Sequence, residues 1–211
     1  MKILIIGATR GVGKALVEQA LAQNHTVTVL ARKPKALTIN HAQLNVIAGD
    51  IADKSAVSKA VAGQDAVCTT IGISPTFKTV TVFSEGAKNA TAAMREHNVK
   101  RLIAVTGIGA GDSRGHGGFL YDQIINRFVL ATVYTDKNRE EAIIKASDLD
   151  WTIARPGFLT NGEMTGKYRA VTNLDGVTAG KISRADVAHF VLDDLQNNKF
   201  LRQTPLLTYT V

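Results

Sequence analysis

The sequence has little cysteine and few aromatic residues, and it has no long apolar run. Its 211 residues include one cysteine, Cys68, so an internal disulfide framework and a cysteine-rich zinc site are excluded. Aromatic residues make up 6% of the chain, too few for a platform on which nucleic-acid bases stack. The apolar start at residues 3–6 is shorter than a signal-peptide core, and no run approaches the roughly eighteen apolar residues of a membrane span. These features favour a cytoplasmic protein with no membrane partner.

Residues that bind metal ions are not grouped in the sequence either. A catalytic zinc needs about three converging ligands, and histidine is a common one. The histidines show no ligand spacing; they are His25, His41, His97, His116 and His189. We therefore expect no metal site.

The positive charge of the chain lies in its first half. The net charge is +7, and residues 1–110 hold 13 Lys and Arg against 6 Asp and Glu. Such an excess attracts anionic partners, either nucleic acid or a polyphosphate cofactor, although ordinary solvated lysines also explain much of it. Because the basic residues are scattered singly, we expect no nucleic-acid partner.

Short apolar runs alternate with amphipathic stretches along the chain. The pattern predicts strands over residues 2–6, 25–30, 44–48, 66–69, 102–106, 151–154 and about 204–210, and helices over 12–23, 53–62, 80–97 and 121–147. Ser183 and Asp186 have the spacing of a capping box at the start of a further helix. This alternation predicts an α/β fold, a doubly wound parallel sheet with flanking helices, in a single domain over residues 1–211 with a small C-terminal portion on the substrate side.

The first predicted strand runs directly into a glycine-rich turn, and a helix follows at once. Glycines at such a place let the backbone approach a pyrophosphate, whose charge then lies on the N–H groups of the helix N-terminus. The sequence therefore predicts a dinucleotide site that is formed here by Gly7, Thr9, Arg10, Gly11, Val12 and Gly13.

The end of the second predicted strand distinguishes the two nicotinamide coenzymes. NAD-dependent folds place a carboxylate there for the ribose 2′-hydroxyl, but no carboxylate occurs between Glu18 and Asp50. Arg32 can instead pair with a 2′-phosphate, and Arg10 can reach the same group. We therefore favour NADP(H) over NAD(H), the alternative being that Arg32 belongs to a solvated loop.

Two further strand ends are candidates for contact with the coenzyme. Asp50 and Ile51, after the third strand, can hold the adenine, and Thr70, Ile71 and Gly72, after the fourth, can run beside the pyrophosphate and ribose. Either segment can also be a plain turn in which Asp50 or Asp53 caps a helix. After the fifth strand, residues 107–118 include six glycines. This composition predicts either a mobile loop over a site or an ordinary surface loop.

Several motifs together resemble the atypical short-chain dehydrogenase/reductase superfamily, and within it the NmrA-like group that includes flavin and biliverdin reductases. They are the glycine turn, residues 29–32 (Val-Leu-Ala-Arg), Gly49-Asp50, and residues 61–67, 84–89, 147–157 and 182–188. The resemblance spans nearly the whole chain and implies a Rossmann-like fold that binds NADP(H). The glycine turn departs from the pattern of this group at one position. The group usually has glycine where this chain has Arg10, and the middle glycine of this chain lies one residue later, at Gly11.

The catalytic positions depart further from the family. Typical members use Tyr-x-x-x-Lys, and no tyrosine of this chain has that spacing. Tyr134 precedes Lys137 by three residues and can still lie on a nearby helix face. Lys137 matches the lysine of many NmrA-like members, which implies contact with the nicotinamide ribose. Alternatively, Lys137, Glu141 and Lys145 are the charge ladder of a solvated helix face.

Two polar residues that the flavin and biliverdin reductases carry near the substrate are absent from this chain. Their serine after the fifth strand and their histidine after the sixth correspond to Gly107 and Gly157, so biliverdin specificity is not carried over. Thr106 keeps a hydroxyl that can contact the coenzyme or donate a proton. The resemblance places Arg155, Pro156, Gly157 and Phe158 beside the nicotinamide.

Two hypotheses about function follow. The first is an NADP(H)-dependent oxidoreductase that passes hydride to a small conjugated acceptor such as a flavin or quinone, whose reduced product solvent can protonate. The second is a sensor that reports NADP(H) state to a protein partner without turnover. Epimerisation of a nucleotide sugar is disfavoured because the extended members that catalyse it keep Tyr-x-x-x-Lys and a larger C-terminal domain. The sequence does not determine whether copies of the chain associate.

Overall fold

A computed structural model describes residues 1–119, 121–122, 124 and 130–210. Its main sheet has eight strands in the spatial order β3-β2-β1-β4-β5-β6-β10-β8. These strands are β1 (Lys2–Ile6), β2 (Thr26–Ala31), β3 (Leu44–Ala48), β4 (Ala66–Thr69), β5 (Arg101–Val105), β6 (Asp150–Pro156), β8 (Arg169–Val171) and β10 (Leu206–Thr208). All neighbours pair in parallel except β10 and β8, which are antiparallel. The predicted α/β doubly wound fold is therefore confirmed.

Helices cover both faces of the sheet and divide the core in two. They are α1 (Gly11–Ala22), α2 (Lys54–Val61), α3 (Val82–Glu96), α4 (Ala131–Lys145) and α5 (Arg184–Asn197). Side chains alternate across a strand, so Ile3 and Ile5 of β1 pack under α1 and α5, whereas Leu4 and Ile6 face the α2 and α3 side. Burial on both faces explains why the strands are apolar throughout.

Side-chain oxygens cap the starts of two helices, α2 and α5. The Asp53 carboxylate accepts hydrogen bonds from the backbone of Ser55 and Ala56 at the start of α2, as one of the alternatives predicted. The Ser183 hydroxyl caps α5 by accepting from the Asp186 backbone. The reciprocal half of the predicted capping box is wrong, because the Asp186 carboxylate turns away from Ser183 and accepts from Tyr209 and Thr165. It thereby fixes a loop of the C-terminal portion onto α5.

The C-terminal portion contains short strands that the sequence pattern did not reveal. β7 (Phe158–Thr160) and β9 (Lys181–Ser183) form a separate parallel pair, and β8 is the antiparallel edge of the main sheet. Each is three residues long, too short for an alternating pattern to stand out. The helix predicted over 121–147 is observed over Ala131–Lys145, and residues 123 and 125–129 of that prediction lie outside the described residues.

The topology brings the candidate residues to one edge of the sheet. The strand order reverses between β1 and β4, and ligands of open α/β sheets bind outside the carboxyl ends of the strands at such a switch point. The glycine turn follows β1, Thr70 follows β4, and the glycine-rich segment follows β5. Among the residues that the structure describes, no helix is long and apolar enough to span a bilayer.

Candidate functional site

The turn after β1 has a backbone conformation that favours glycine. Gly7 has φ +94° and Gly11 has φ +62°, both in the left-handed region that side chains disfavour. A Cβ atom on Gly7 would lie 2.7 Å from the carbonyl oxygen of Thr70. The turn therefore brings the ends of β1 and β4 into contact, and α1 begins immediately at Gly11.

Gly13 allows α1 to pack directly on this turn. A Cβ atom there would collide with the carbonyl oxygen of Gly7 and the hydroxyl of Thr70. The Thr70 hydroxyl is itself fixed, since it donates to the carbonyl oxygen of Ile6 at 3.1 Å. Gly7, Gly13 and Thr70, all predicted site residues, are thus brought together as a cradle with no room for side chains. Such a cradle below a helix N-terminus fits the diphosphate of a dinucleotide.

The remaining residues of the predicted turn lie around this cradle. Arg10 is exposed at the position that precedes α1, Thr9 is half-buried, and Val12 is buried in the core. Arg32 follows β2 and is exposed. The ion pairs within the described residues include neither Arg10 nor Arg32, so both guanidinium groups are available to an anion.

The segments after β3 and β4 have partly structural roles. Asp50 is half-buried, and its carboxylate accepts from the Ala52 backbone at 3.0 Å. Ile51 is buried against α3, where a Cβ atom on Gly86 would meet its Cδ1 atom at 2.7 Å. On the β4 side, Ile71 is half-buried and Gly72 is exposed, with nothing near the position of a Cβ atom. Contact of these residues with a coenzyme stays a prediction.

Tyr134 belongs to α4, and its side chain lies beside Gly107, just after the end of β5. Its hydroxyl oxygen is 3.0 Å from that of Tyr121, and a Cβ atom on Gly107 would be 3.1 Å away. The Tyr121 hydroxyl lies 3.0 Å from both the carbonyl oxygen of Ile108 and the Tyr134 hydroxyl, so its one hydrogen can be donated to either of them. Burial raises the pKa of Tyr134, and the hydrogen bond to Tyr121 raises it further. The phenol of Tyr134 is therefore a protonated hydrogen-bond donor at neutral pH.

Lys137 does not lie on a solvated helix face. Its side chain is 7% exposed, and Nζ lies 4.2 Å from the centroid of the Phe83 ring and 3.9 Å from Oε2 of Glu140. Glu141 is also buried. The alternative in which Lys137, Glu141 and Lys145 form a solvated ladder is therefore wrong, because α3 and the sheet cover this side of α4. Burial lowers the pKa of Lys137, and the nearby carboxylates oppose that change.

Glu141 joins α4 to β6 through a buried arginine. Its two carboxylate oxygens accept from Nε of Arg155 at 3.0 Å and from Nη2 at 2.6 Å. Thr106 donates its hydroxyl to the same carboxylate at 2.9 Å. Arg155 has no exposed surface and also pairs with Asp112. The predicted role of Thr106 at the coenzyme stays a prediction, since its described hydrogen bond is to Glu141.

The glycine-rich segment is held over this cluster by side chains. The backbone N–H of Gly111 donates to Asn138 at 2.8 Å, and those of Gly115 and Gly117 donate to Asp122. Residues 107–110 are buried, whereas residues 111, 112, 114 and 115 are exposed, so only part of the segment packs inside the protein. A mobile loop over the site stays a prediction. The segment contains a Gly-x-Ser-x-Gly sequence at residues 111–115, but Ser113 is fully buried and bonds only within the loop. It therefore lacks the exposed hydroxyl of a hydrolase nucleophile.

The turn after β6 completes the rim of the site. Pro156 and Gly157 are buried, and a Cβ atom on Gly157 would collide with the carbonyl oxygen of Gly180. The Phe158 ring meets the Tyr121 ring edge-on at 5.1 Å. Exposed apolar side chains follow several of the strands whose carboxyl ends lie here, namely Phe77, Phe119, Phe158, Leu159 and Met164.

Several residues of this region were not predicted from the sequence. Glu140, Asp112 and Tyr121 all contribute buried or partly buried polar contacts. The resemblance places Arg155 beside the nicotinamide, but Arg155 has no exposed surface and pairs with Glu141 and Asp112, because an arginine inside an apolar strand must find a carboxylate partner. The partners themselves are distant in sequence and carry no local pattern.

A glycine cradle at the switch point of a doubly wound sheet defines the class of NAD(P)H-binding α/β proteins. The model of a protein family described as NAD(P)H-binding matches residues 7–198. The chain belongs to this NAD(P)H-binding family.

Three similar proteins illustrate the relationship. The chain is 32% identical over 203 residues to the uncharacterized sugar epimerase YhfK of Bacillus subtilis, covering 92% of this chain and 88% of the relative. It is 26% identical to ChuY, an anaerobillin reductase from Escherichia coli O157:H7, with a TM-score of 0.84 over 99% of this chain and 97% of the other. A short-chain dehydrogenase/reductase from Veillonella parvula in complex with NADP is 18% identical, with a TM-score of 0.83 over 98% and 94% of the chains; it shares the fold.

Proposed function

We propose that the protein is an NADP(H)-dependent oxidoreductase that passes hydride to a small conjugated acceptor such as a flavin or a quinone. The observation that carries the proposal is the cradle of Gly7, Gly13 and Thr70 below the N-terminus of α1. Membership of the NAD(P)H-binding family and similarity to a reductase support it.

Each end of the coenzyme has candidate residues in this chain. The cradle and the first N–H groups of α1 would hold the diphosphate. Arg32 and Arg10 would hold the 2′-phosphate through charge-assisted hydrogen bonds. Lys137 would bind the ribose next to the nicotinamide, and Phe158 would border the ring. The bound coenzyme supplies the hydride, and the protein contributes orientation and exclusion of water.

The state of Tyr134 favours an acceptor that needs no protein acid. A raised pKa makes the phenol a poor proton donor. A flavin or quinone delocalises the added charge and can take its proton from solvent. The exposed apolar side chains at the rim, Phe77 and Phe119 among them, suit a planar apolar acceptor. Epimerisation is less favoured, because a base of that type needs a tyrosine with a lowered pKa.

Steady-state oxidation of NADPH in the presence of FMN or a quinone tests the proposal. We expect turnover by the wild-type protein and none above the buffer rate for Gly13→Asp, in which the new side chain would collide with Gly7 and Thr70 and move α1 away from the turn. Gly162→Ala is the matched control, because the nearest atom to its Cβ position is 3.6 Å away. Equal rates for the wild type and a folded Gly13→Asp variant would refute the proposal.

The second candidate function is a coenzyme-binding sensor with a protein partner. The raised pKa of Tyr134 also favours it, because such a phenol gives up its proton poorly. A sensor has to distinguish NADP⁺ from NADPH while it oxidises neither. Thermal-shift measurements with both forms therefore separate the candidates, and equal stabilisation by both would count against the sensor.

A further inference from the structure

Glu140 is a buried carboxylate with an incomplete set of partners. The residue is 4% exposed, and its Oε2 atom accepts no hydrogen bond from any residue that the structure describes. The closest cation is the ammonium group of Lys137, at 3.9 Å, one helical turn earlier on α4. At this distance the two groups interact electrostatically without a direct hydrogen bond.

The other acidic groups near Lys137 are engaged elsewhere. Asp136 accepts from the backbone N–H groups of Phe83 and Ser84 and from the Ser84 hydroxyl, so it holds the start of α3. From α3, the group that faces Nζ of Lys137 is the Phe83 ring, which carries no charge. The described hydrogen bonds of Asp136 therefore go to the start of α3 and not to Lys137.

The sheet side of the cluster is also occupied. Glu141 forms the two-pronged pair with Arg155, accepts from Thr106 and lies 3.5 Å from Nζ of Lys145. These partners balance its charge. Among the described residues, Glu140 is thus the carboxylate that has Lys137 as its nearest cation.

The ionisation of Glu140 changes within the neutral range. Burial raises the pKa of Glu140 to about 7, and Glu141 and Asp136 add to the rise, while Lys137 opposes it. Above this pH, the Glu140 carboxylate neutralises the Lys137 ammonium and attracts it along α4. Below this pH, Glu140 is neutral and no longer compensates the charge of the Lys137 ammonium. The ammonium is then available to bind an anion in the site.

We propose that Glu140 is a positioning residue that controls the ammonium group of Lys137, so that coenzyme affinity decreases as Glu140 ionises. This inference rests on the proposed function, in which Lys137 binds the ribose next to the nicotinamide. Linkage determines the sign: an anionic coenzyme favours the protonated form of Glu140, and the protonated form therefore binds the coenzyme more tightly.

Calorimetric titration with NADPH tests the inference at about pH 6 and about pH 8.5, on either side of the Glu140 transition. In Glu140→Gln the side chain is neutral at every pH, so the variant should bind about three- to tenfold more tightly than the wild type at the higher pH and equally at the lower. Glu85→Gln is the matched control, because Glu85 is an exposed α3 carboxylate that pairs with Lys88. It should follow the wild type at both pH values.

Proton uptake by the wild-type protein gives a second test. Titration of the wild type near pH 7 in buffers of different ionisation enthalpy should show protons taken up with NADPH, and Lys137→Met should lose this uptake together with affinity. A pH dependence of affinity in Glu140→Gln equal to that of the wild type, no proton uptake by the wild type, or full affinity in Lys137→Met would overturn the inference. Absence of NADPH binding by the wild type would instead refute the proposed function.

Discussion

The buried pair of Glu141 and Arg155 makes the sharpest prediction about stability. Arg155 has no exposed surface, and 3% of the Glu141 side chain is exposed, so both charges depend on each other rather than on water. Glu141→Gln keeps the shape of the side chain but leaves the guanidinium without its main counter-charge. Breaking a buried pair in this way costs about 3–5 kcal/mol of the free energy of unfolding.

The expected loss is large for a domain of this size. A protein of 211 residues changes its Tm by about 2–4 °C per kcal/mol, so Glu141→Gln should unfold about 6–20 °C below the wild type. The pair joins α4 to β6. Tyr134 and Lys137 lie on α4, and β6 ends at Pro156. A weakened pair should therefore also reduce coenzyme affinity.

Thermal and urea unfolding followed by circular dichroism measure the effect. Asp112→Asn is the control on the other side of the same arginine, where the carboxylate is 68% exposed. An exposed pair contributes about 0–1 kcal/mol, so this variant should remain near the wild type. If Glu141→Gln also stays within about 1 kcal/mol of the wild type, the reasoning about the buried pair is wrong.

Three further predictions concern the coenzyme, the proton donor and pH. Arg32→Glu should weaken NADPH binding about ten- to a hundredfold in calorimetry and leave NADH binding nearly unchanged, because it removes charge-assisted bonds to the 2′-phosphate. Tyr134→Phe should lower the rate of NADPH oxidation less than tenfold, whereas a loss of about a hundredfold or more would identify a general acid. Burial acts to raise the pKa of Asp186, but hydrogen bonds from Tyr209, Thr165 and Gly166 outweigh it and hold the pKa below its usual value. Its stabilisation is therefore complete above the usual carboxyl range and is lost as the pH falls through the lowered pKa, so the Tm of Asp186→Asn should depend less on pH there than that of the wild type.

The sheet and the coenzyme turn were predictable because local patterns encode them. Continuous apolar runs predicted β1 and the other long strands to within a residue or two, and the glycines at 7, 11 and 13 marked the turn before α1. These signals arise from burial on both faces of the sheet and from close backbone approach, which restrict residue type at each position.

The surroundings of α4 were not predictable from local pattern. The spacing of Lys137, Glu141 and Lys145 is the same on a solvated face and on a buried one, so only tertiary contacts with α3 and β6 distinguish the two. Glu141 and Arg155 are 14 residues apart, and their pairing depends on where the next strand enters the sheet. The short strands β7 and β9 likewise exist through mutual pairing rather than through their own propensity.

Calorimetric titration of the wild-type protein with NADPH and with NADH tests the central claim most directly. If the glycine turn holds a dinucleotide diphosphate and Arg32 selects the phosphorylated form, NADPH should bind at least about tenfold more tightly than NADH. Equal affinities would contradict the selection by Arg32. The absence of heat with either coenzyme at millimolar concentration would contradict the site itself.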